Sequence, residues 1–289
     1  ASPYGQPVIG WMHDIERLTV NDLRAWYHTH YQPGNAVLVI VGDVTLAEVK
    51  PLVEKHFGPI PAGTVPEHKK PLELPGGAER EVTLHLDVQL PSLLLSFNVP
   101  SLSTAENAWE VHALRLLGGV LDSGYSARLA SRLERGNSIA TSASAGYGGF
   151  ERGDTLFTLS GLPNQALNIS LEQLEEAFWT EIDDLKTNPP GAAELSRVKT
   201  QMIAADVYAQ DSIAHQATQI GQLESVGLPW QLIEEDQQAL EAITPEQVSE
   251  VARRYLTTER LTRGHVLPAA AAEPTATQTG EPSAQEESN

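Results

Sequence analysis

The sequence predicts an α+β fold, an α/β sandwich in which helices pack on mixed β-sheet, carried by two related domains. Three observations predict it. An internal echo comes first. Leu18-Thr19 opens a helical pattern (Asp22, Leu23, Trp26, Tyr27, Tyr31) followed by the β-rich run Ala36 to Val41, and Ile243-Thr244 opens another (Val248, Val251, Ala252, Tyr255) followed by the extended run Leu261 to Leu267. Self-similarity at long period is the mark of a repeated unit. The second observation is a stretch dense in Pro and Gly, from Gly58 to Gly77, with the composition of an interdomain linker. The third is length: 289 residues suit about two domains. The first copy of the echo lies almost at the N-terminus and the second closes a long α/β segment. The expected organisation is therefore a C-terminal remnant of one domain at 1–60, a linker at 61–80, a complete second domain at 81–268 and a disordered tail at 269–289.

Each element has a local reason. Thr19 is a good N-cap with Asp22 in the first turn, and Pro33-Gly34-Asn35 stops that helix. Ala36 to Val41 is a continuous apolar run with β-branched residues, as in a central strand buried on both faces. Thr45 starts a helix that reaches about Phe57. Val82, Leu84, Leu86 and Val88 alternate with Thr83, His85 and Asp87, the period of a half-buried strand. Leu93 to Val99 is a second strand, Thr104 to about Leu121 a helix, and Ser126 to Arg135 a shorter one. Ile139 to Tyr147 and Thr155 to Leu162 read as a hairpin around Gly148, Gly149 and Gly153.

A run of helices follows. Leu171, Leu174, Phe178, Ile182 and Leu185 form an apolar stripe, and Ser170 with Gln173 fits a capping box. Pro189-Pro190-Gly191 breaks that helix. Leu195, Val198 and Met202 stripe the next, and Ile213, Ala217, Ile220 and Leu223 another that Gly227 and Pro229 end. Thr244-Pro245-Glu246-Gln247 is a strong helix start. The Ala, Pro, Thr, Gln, Ser and Glu of the tail bury too little to offset ordering entropy.

Composition narrows the function. Nineteen basic against 38 acidic residues give a formal net charge of −19. That argues against nucleic acid and against anionic lipid, both of which need cationic surface. It favours solubility, and a basic or unstructured peptide as partner. There are no cysteines, so disulfides, thiolate chemistry and Cys-based metal sites are excluded. No apolar stretch approaches the ~20 residues that span a bilayer. Ala1 to Gly5 lacks the charge and apolar core of a signal peptide, which would lie in a preceding part.

No catalytic constellation survives inspection of the residues. His13-Asp14-Ile15-Glu16-Arg17 approximates H-x-x-E-H, but Arg17 stands where the second imidazole belongs and the segment precedes the Thr19 cap. His28 and His30 are two apart, so on a helix they point about 200° from each other and share no metal. His56, His68, His85, His112, His215 and His265 have no ligand spacing. Gly124-Tyr125-Ser126-Ala127-Arg128 lacks both the final Gly and the preceding strand of a nucleophile elbow, which leaves Ser126 as a helix cap. Gly118, Gly119 and Gly124 are followed by no G-K-[ST] and read as a flexible turn. The expected site list is empty: no catalytic, cofactor or metal residue.

Several segments resemble the insulinase (pitrilysin) family of zinc metallopeptidases. Ser2-Pro3-Tyr4-Gly5-Gln6-Pro7-Val8-Ile9-Gly10 is similar to the family's H-P-Y-G-x-P-x-x-G. Tyr31-Gln32-Pro33-Gly34-Asn35-Ala36 is similar to Y-x-P-x-N-A, and the strand run with Gly42-Asp43-Val44 to the V-G-D-V that follows. Gly118-Gly119 to Ser126-Ala127-Arg128-Leu129 looks like G-G-x-x-S-x-R-L. The resemblance covers residues 2 to about 265. It implies two homologous α/β domains around a peptide chamber. It implies zinc bound by H-x-x-E-H and a downstream Glu, with the motif Glu as general base, all in a missing N-terminal part.

The family's Arg/Tyr pair, L-R-x-x-x-x-x-x-Y, aligned on Leu133 falls on Glu134 and Thr141, and both depart from it. That suggests a bacterial two-subunit type, with Leu133 to Ala145 more like the zinc-bearing subunit. The resemblance thus implies the C-terminal part of a zinc endopeptidase. Its partners would be a homologous subunit or its own N-terminal half, and a peptide. The expected compartment is the periplasm, and this chain is expected to hold no zinc itself. The alternative is a non-catalytic structural subunit on the same scaffold, or a stand-alone module that adds a peptide strand to an exposed sheet edge.

Overall fold

The computed structural model describes residues 7–64 and 79–269. Ser2 to Gln6 of the N-terminal motif, most of the expected linker and all but Ala269 of the expected tail lie outside the described residues.

Elements run in the order α1 (Met12–Ile15), α2 (Val20–His30), α3 (Leu46–His56), β1 (Arg80–Leu86), β2 (Ser92–Val99), α4 (Ala108–Leu121), a π-helix (Leu129–Glu134), β3 (Ala140–Tyr147), β4 (Thr155–Pro163), α5 (Leu171–Thr187), α6 (Ala192–Ala209), α7 (Ile213–Val226), α8 (Leu232–Ala242), α9 (Pro245–Tyr255) and β5 (Leu261–Pro268). The five strands form one sheet in the order β1-β5-β2-β4-β3. β1 is parallel to β5 and the other neighbours are antiparallel, so the sheet is mixed, as expected. The last described strand, β5, is inserted between β1 and β2, far from them in sequence.

One face of this sheet makes the core. Leu93, Leu95, Phe97 and Val99 of β2 and Phe157 and Leu159 of β4 are fully buried. Helices α4, α5 and α9 cover them through Leu114, Leu117, Phe178, Ile182, Val248 and Val251. Each such side chain contributes roughly 1.5–3 kcal/mol by leaving water. The one fully buried carboxylate here, Glu110 on α4, is satisfied by Arg254 Nη1 and by the Tyr255 hydroxyl, each at 2.7 Å, and so pins α4 to α9. The opposite face carries hydroxyl pairs, Ser96 with Thr158 at 3.1 Å and Ser144 with Ser160 at 2.7 Å.

Helix starts follow the capping chemistry. Thr19, Thr45, Ser170 and Thr244 each cap through a reciprocal box, with Asp22, Glu48, Gln173 and Gln247 returning the bond. Gly227 (φ +84°) ends α7 in the left-handed region.

Several expectations are corrected. Ala36 to Val41 is extended but forms no strand, because it meets no ladder partner among the described residues, and Val37, Leu38 and Ile40 are about half exposed. None of helices α1, α2 and α3 buries a residue. β1 is a strand, yet all of its residues are exposed: it lies at the sheet edge, beyond the helices. α4 begins at Ala108 rather than Thr104, whose hydroxyl instead accepts from the Ser101 N–H at 3.0 Å and holds a turn. His13 lies in a one-turn helix rather than in loop. α8 has no counterpart in the sequence reading.

Candidate functional site

The glycine-and-arginine motif, the π-helix and β3 meet at one end of the sheet. Gly118 and Gly119 are not a flexible turn. They lie in α4 where it crosses α6, and a Cβ on Gly119 would sit 2.5 Å from Val198 Cγ1. Glycine is there because the helices approach too closely for a side chain. Gly124, at φ +100°, then turns the chain toward the π-helix. Ser126 is no cap: it is exposed, its hydroxyl bonds no described residue, and the helix after it starts from Arg128 without a side-chain cap.

Arg128 is the centre of this end. It is buried, and its guanidinium forks onto Glu194 of α6 (Nε to Oε1 and Nη2 to Oε2, each 2.9 Å) while Nη1 reaches Asp184 of α5 at 2.9 Å. One turn on, Arg132 Nη1 donates to Glu181 at 2.7 Å and to Asp184 at 3.0 Å. The hydrogen bond from Arg128 holds the Glu194 carboxyl below its ordinary pKa. Bonds from Asn188 and then Arg132 do the same for Asp184. Burial pushes Glu181 up, against the pull of Arg132. Two guanidiniums thus neutralise most of three carboxylates. None is left free as a general acid or base, and the network joins the π-helix to α5 and α6.

Two further acids act on the sheet itself. Glu134 Oε1 accepts the Ala143 N–H at 2.9 Å, and Asp122 Oδ2 accepts the Ala145 N–H at 3.1 Å. These are alternate residues of β3, whose other side pairs with β4. The carboxylates therefore occupy the outward donors that an added strand would use. Thr141 is exposed beside a register shift between Ala140 and Ser142, with only a 3.5 Å contact from its hydroxyl to the Pro163 carbonyl. Where the Arg/Tyr pair was sought, the chain presents an anion already engaged and a short hydroxyl. Glu134 was legible as a departure from the motif. Its service to the β3 edge, shared with Asp122, was not, because the pairing is set by tertiary placement.

The donor set for zinc does not fit. His13 Nε2 lies 3.1 Å from Asp14, and Arg17 occupies the second-ligand position with a group that cannot ligate. His30 Nδ1 is 3.0 Å from the Trp26 carbonyl and its ring stacks on Trp26 at 4.8 Å, while His28 packs edge-on to Tyr27 at 5.9 Å. Among the described residues no three His, Asp or Glu side chains are grouped to hold a metal ion, and no helix is long and apolar enough to cross a membrane.

Comparison with known proteins gives the family. The family model described as the peptidase M16 inactive domain matches residues 17–202. The zinc protease PqqE of Helicobacter pylori is 30% identical over 204 residues, which are 68% of this chain and 44% of that protein. The crystal structure of a protease from Helicobacter pylori superposes with a TM-score of 0.79 at 25% identity, covering 90% of this chain and 61% of that one. The periplasmic protease PqqL from Escherichia coli shares the fold (TM-score 0.70, 17% identity), covering 90% of this chain and 29% of that one. The chain thus spans between 29% and 61% of the length of these relatives. By the family match and the fold together, this chain belongs to the insulinase-type (M16) zinc-protease family, as its inactive, C-terminal domain.

Proposed function

We propose that this chain forms one wall of a peptide chamber and the docking half for a homologous zinc-bearing partner, which carries hydrolysis. The partner is either a separate subunit or an N-terminal half of the same polypeptide. One observation carries the reading. Residues 7–64 expose Trp26, Tyr27, Val37, Leu38, Ile40 and Phe57, each about half accessible, and the strand-type run among them has no ladder partner among the described residues. Apolar surface on this scale marks an interaction face. A partner that supplies the neighbouring strands would give the run its hydrogen bonds and the helices their cover. The net charge of −19 favours basic or unstructured peptide as the substrate. The periplasm is the proposed compartment, by likeness to PqqL.

The second reading, a purely structural subunit, is favoured by the β3 edge, whose outward donors are occupied by Asp122 and Glu134. One experiment separates the two. The purified chain is mixed with a homologous half that carries H-x-x-E-H, and zinc content, complex mass and peptide turnover are measured. The chamber reading expects no stoichiometric zinc on this chain alone, a stable complex, and turnover that rises on mixing. A complex with unchanged turnover favours the structural reading. One tightly held zinc per isolated chain refutes the proposal.

A further inference from the structure

The helix layer holds a pocket that the chamber reading does not use. It has a volume of about 280 Å³ and opens between α4, α8 and the loop before α4. That is just below the range for small-ligand sites, roughly 300–1,000 Å³, and suits a single side chain. Its walls are apolar and aromatic, chiefly Trp109, Phe150, Leu232 and Ile243, and its polar groups include His112 and Asp236. The guanidinium of Arg115 lies over the Phe150 ring, 4.9 Å from its centroid, and steadies that wall.

His112 is the informative group. It is only 7% exposed and lines the pocket. Arg115 forks onto Asp236, with Nη2 at 2.9 Å from Oδ2 and Nη1 on Oδ1, and the same Nη1 lies 3.3 Å from His112 Nδ1. A guanidinium only donates, so Nδ1 accepts and the ring proton sits on Nε2. Burial, and then the charge of Arg115, hold the imidazole below its ordinary pKa, so the ring is neutral. Nε2–H has no hydrogen-bond partner among the described residues. With Nδ1 turned to Arg115, Nε2–H is the ring's unengaged donor, on a side chain that lines the pocket, and it is available to an acceptor that enters there.

The surrounding charge selects the kind of acceptor. Asp236 is neutralised by Arg115, but Glu235 on the same lining carries a charge and turns anions away. The walls ask for a flat or branched apolar group. We propose that this pocket binds one aromatic or aliphatic side chain of a peptide segment, with a neighbouring neutral carbonyl oxygen accepting from His112 Nε2. It is an anchor point on the helix layer, separate from the sheet edge and from the exposed face of residues 7–64.

The probe is N-acetyl-L-phenylalaninamide, titrated into the intact chain while the His112 ring resonances are followed by NMR, assigned by their absence in His112→Gln. The expected result is a saturable shift with a millimolar Kd. Phenylacetate and phenethylamine are each expected to bind at least about tenfold more weakly. Ala239→Leu, which fills the pocket from α8, is expected to weaken binding by about tenfold or more with an unchanged melting temperature. Ala108→Leu fills it from α4 and replaces that variant if α8 is perturbed. No saturable shift, equal or tighter binding of either charged analogue, or wild-type affinity in a filled variant that is folded would each overturn the proposal.

Discussion

Arg128→Ala is expected to destabilise the domain by about 3 kcal/mol at neutral pH. The side chain makes three charge-assisted hydrogen bonds, two to Glu194 and one to Asp184, each 2.9 Å. At roughly 1.5–3 kcal/mol apiece their gross worth is about 4.5–9 kcal/mol. Two features lower the net loss. Asp184 keeps Arg132 at 3.0 Å and Asn188 at 2.8 Å, and the Glu194 side chain, 22% exposed, regains water. The result sits at the lower end of the ~3–5 kcal/mol lost when one partner of a buried ion pair is removed. With a urea m-value of about 2 kcal/mol/M the midpoint falls by about 1.5 M, read by circular dichroism. The pH dependence supplies a second signature. Arg128 holds the Glu194 carboxyl below its usual 4.5, so the unfolded chain takes up that proton first. The stabilisation is complete above that value and is lost as pH falls through the folded-state pKa, so wild type and variant converge in acid. Arg128→Lys, which keeps the charge and loses the fork, falls between them. A loss under about 1 kcal/mol, or a gap that does not narrow in acid, would refute the reasoning.

Three other outcomes are expected. Gly119→Ala places a methyl 2.5 Å from Val198 Cγ1 and costs about 1–3 kcal/mol in a thermal melt; Val198→Ala in the same chain restores part of it. Asp122→Ala and Glu134→Ala free the outward N–H groups of Ala145 and Ala143, so hydrogen exchange at those amides speeds up about tenfold and the double variant self-associates on size exclusion; unchanged exchange would show that the caps do not hold in solution. Burial and Arg115 lower the His112 pKa from 6.5, so the unfolded chain binds the proton first. Stability from this group is present above pH 6.5 and lost below it, and His112→Asn flattens the urea midpoint between about pH 7.5 and 5.5.

Much of the fold was legible because it is written locally. The boxes at Thr19, Ser170 and Thr244 and the stripe Leu171 to Leu185 depend on residues within a few turns, and each expected helix is present. The misreadings share a cause. Ala36 to Val41 has the composition of a central strand, but a strand exists only through its neighbours, and the described residues supply none. Val82, Leu84 and Leu86 alternate correctly and stay exposed because cover, unlike period, belongs to tertiary structure. At the sheet end, Glu134 and Thr141 were visible as departures from a motif. The engagement of Arg128 with Glu194, 66 residues away, left no local trace. His112 looked like one of several scattered histidines, since its partner Asp236 arrives on α8, a helix that the sequence reading missed.

The two rims of the sheet are unlike, and this sets an upper bound on how copies of it can aggregate. Carboxylates close the β3 side, while among the described residues nothing takes the outer backbone groups of β1. Growth of a ribbon needs every unit to offer a joining edge on both flanks. With β1 as the one open flank of this sheet among the described residues, pairing through the sheet alone terminates at a two-fold pair rather than propagating into a fibre.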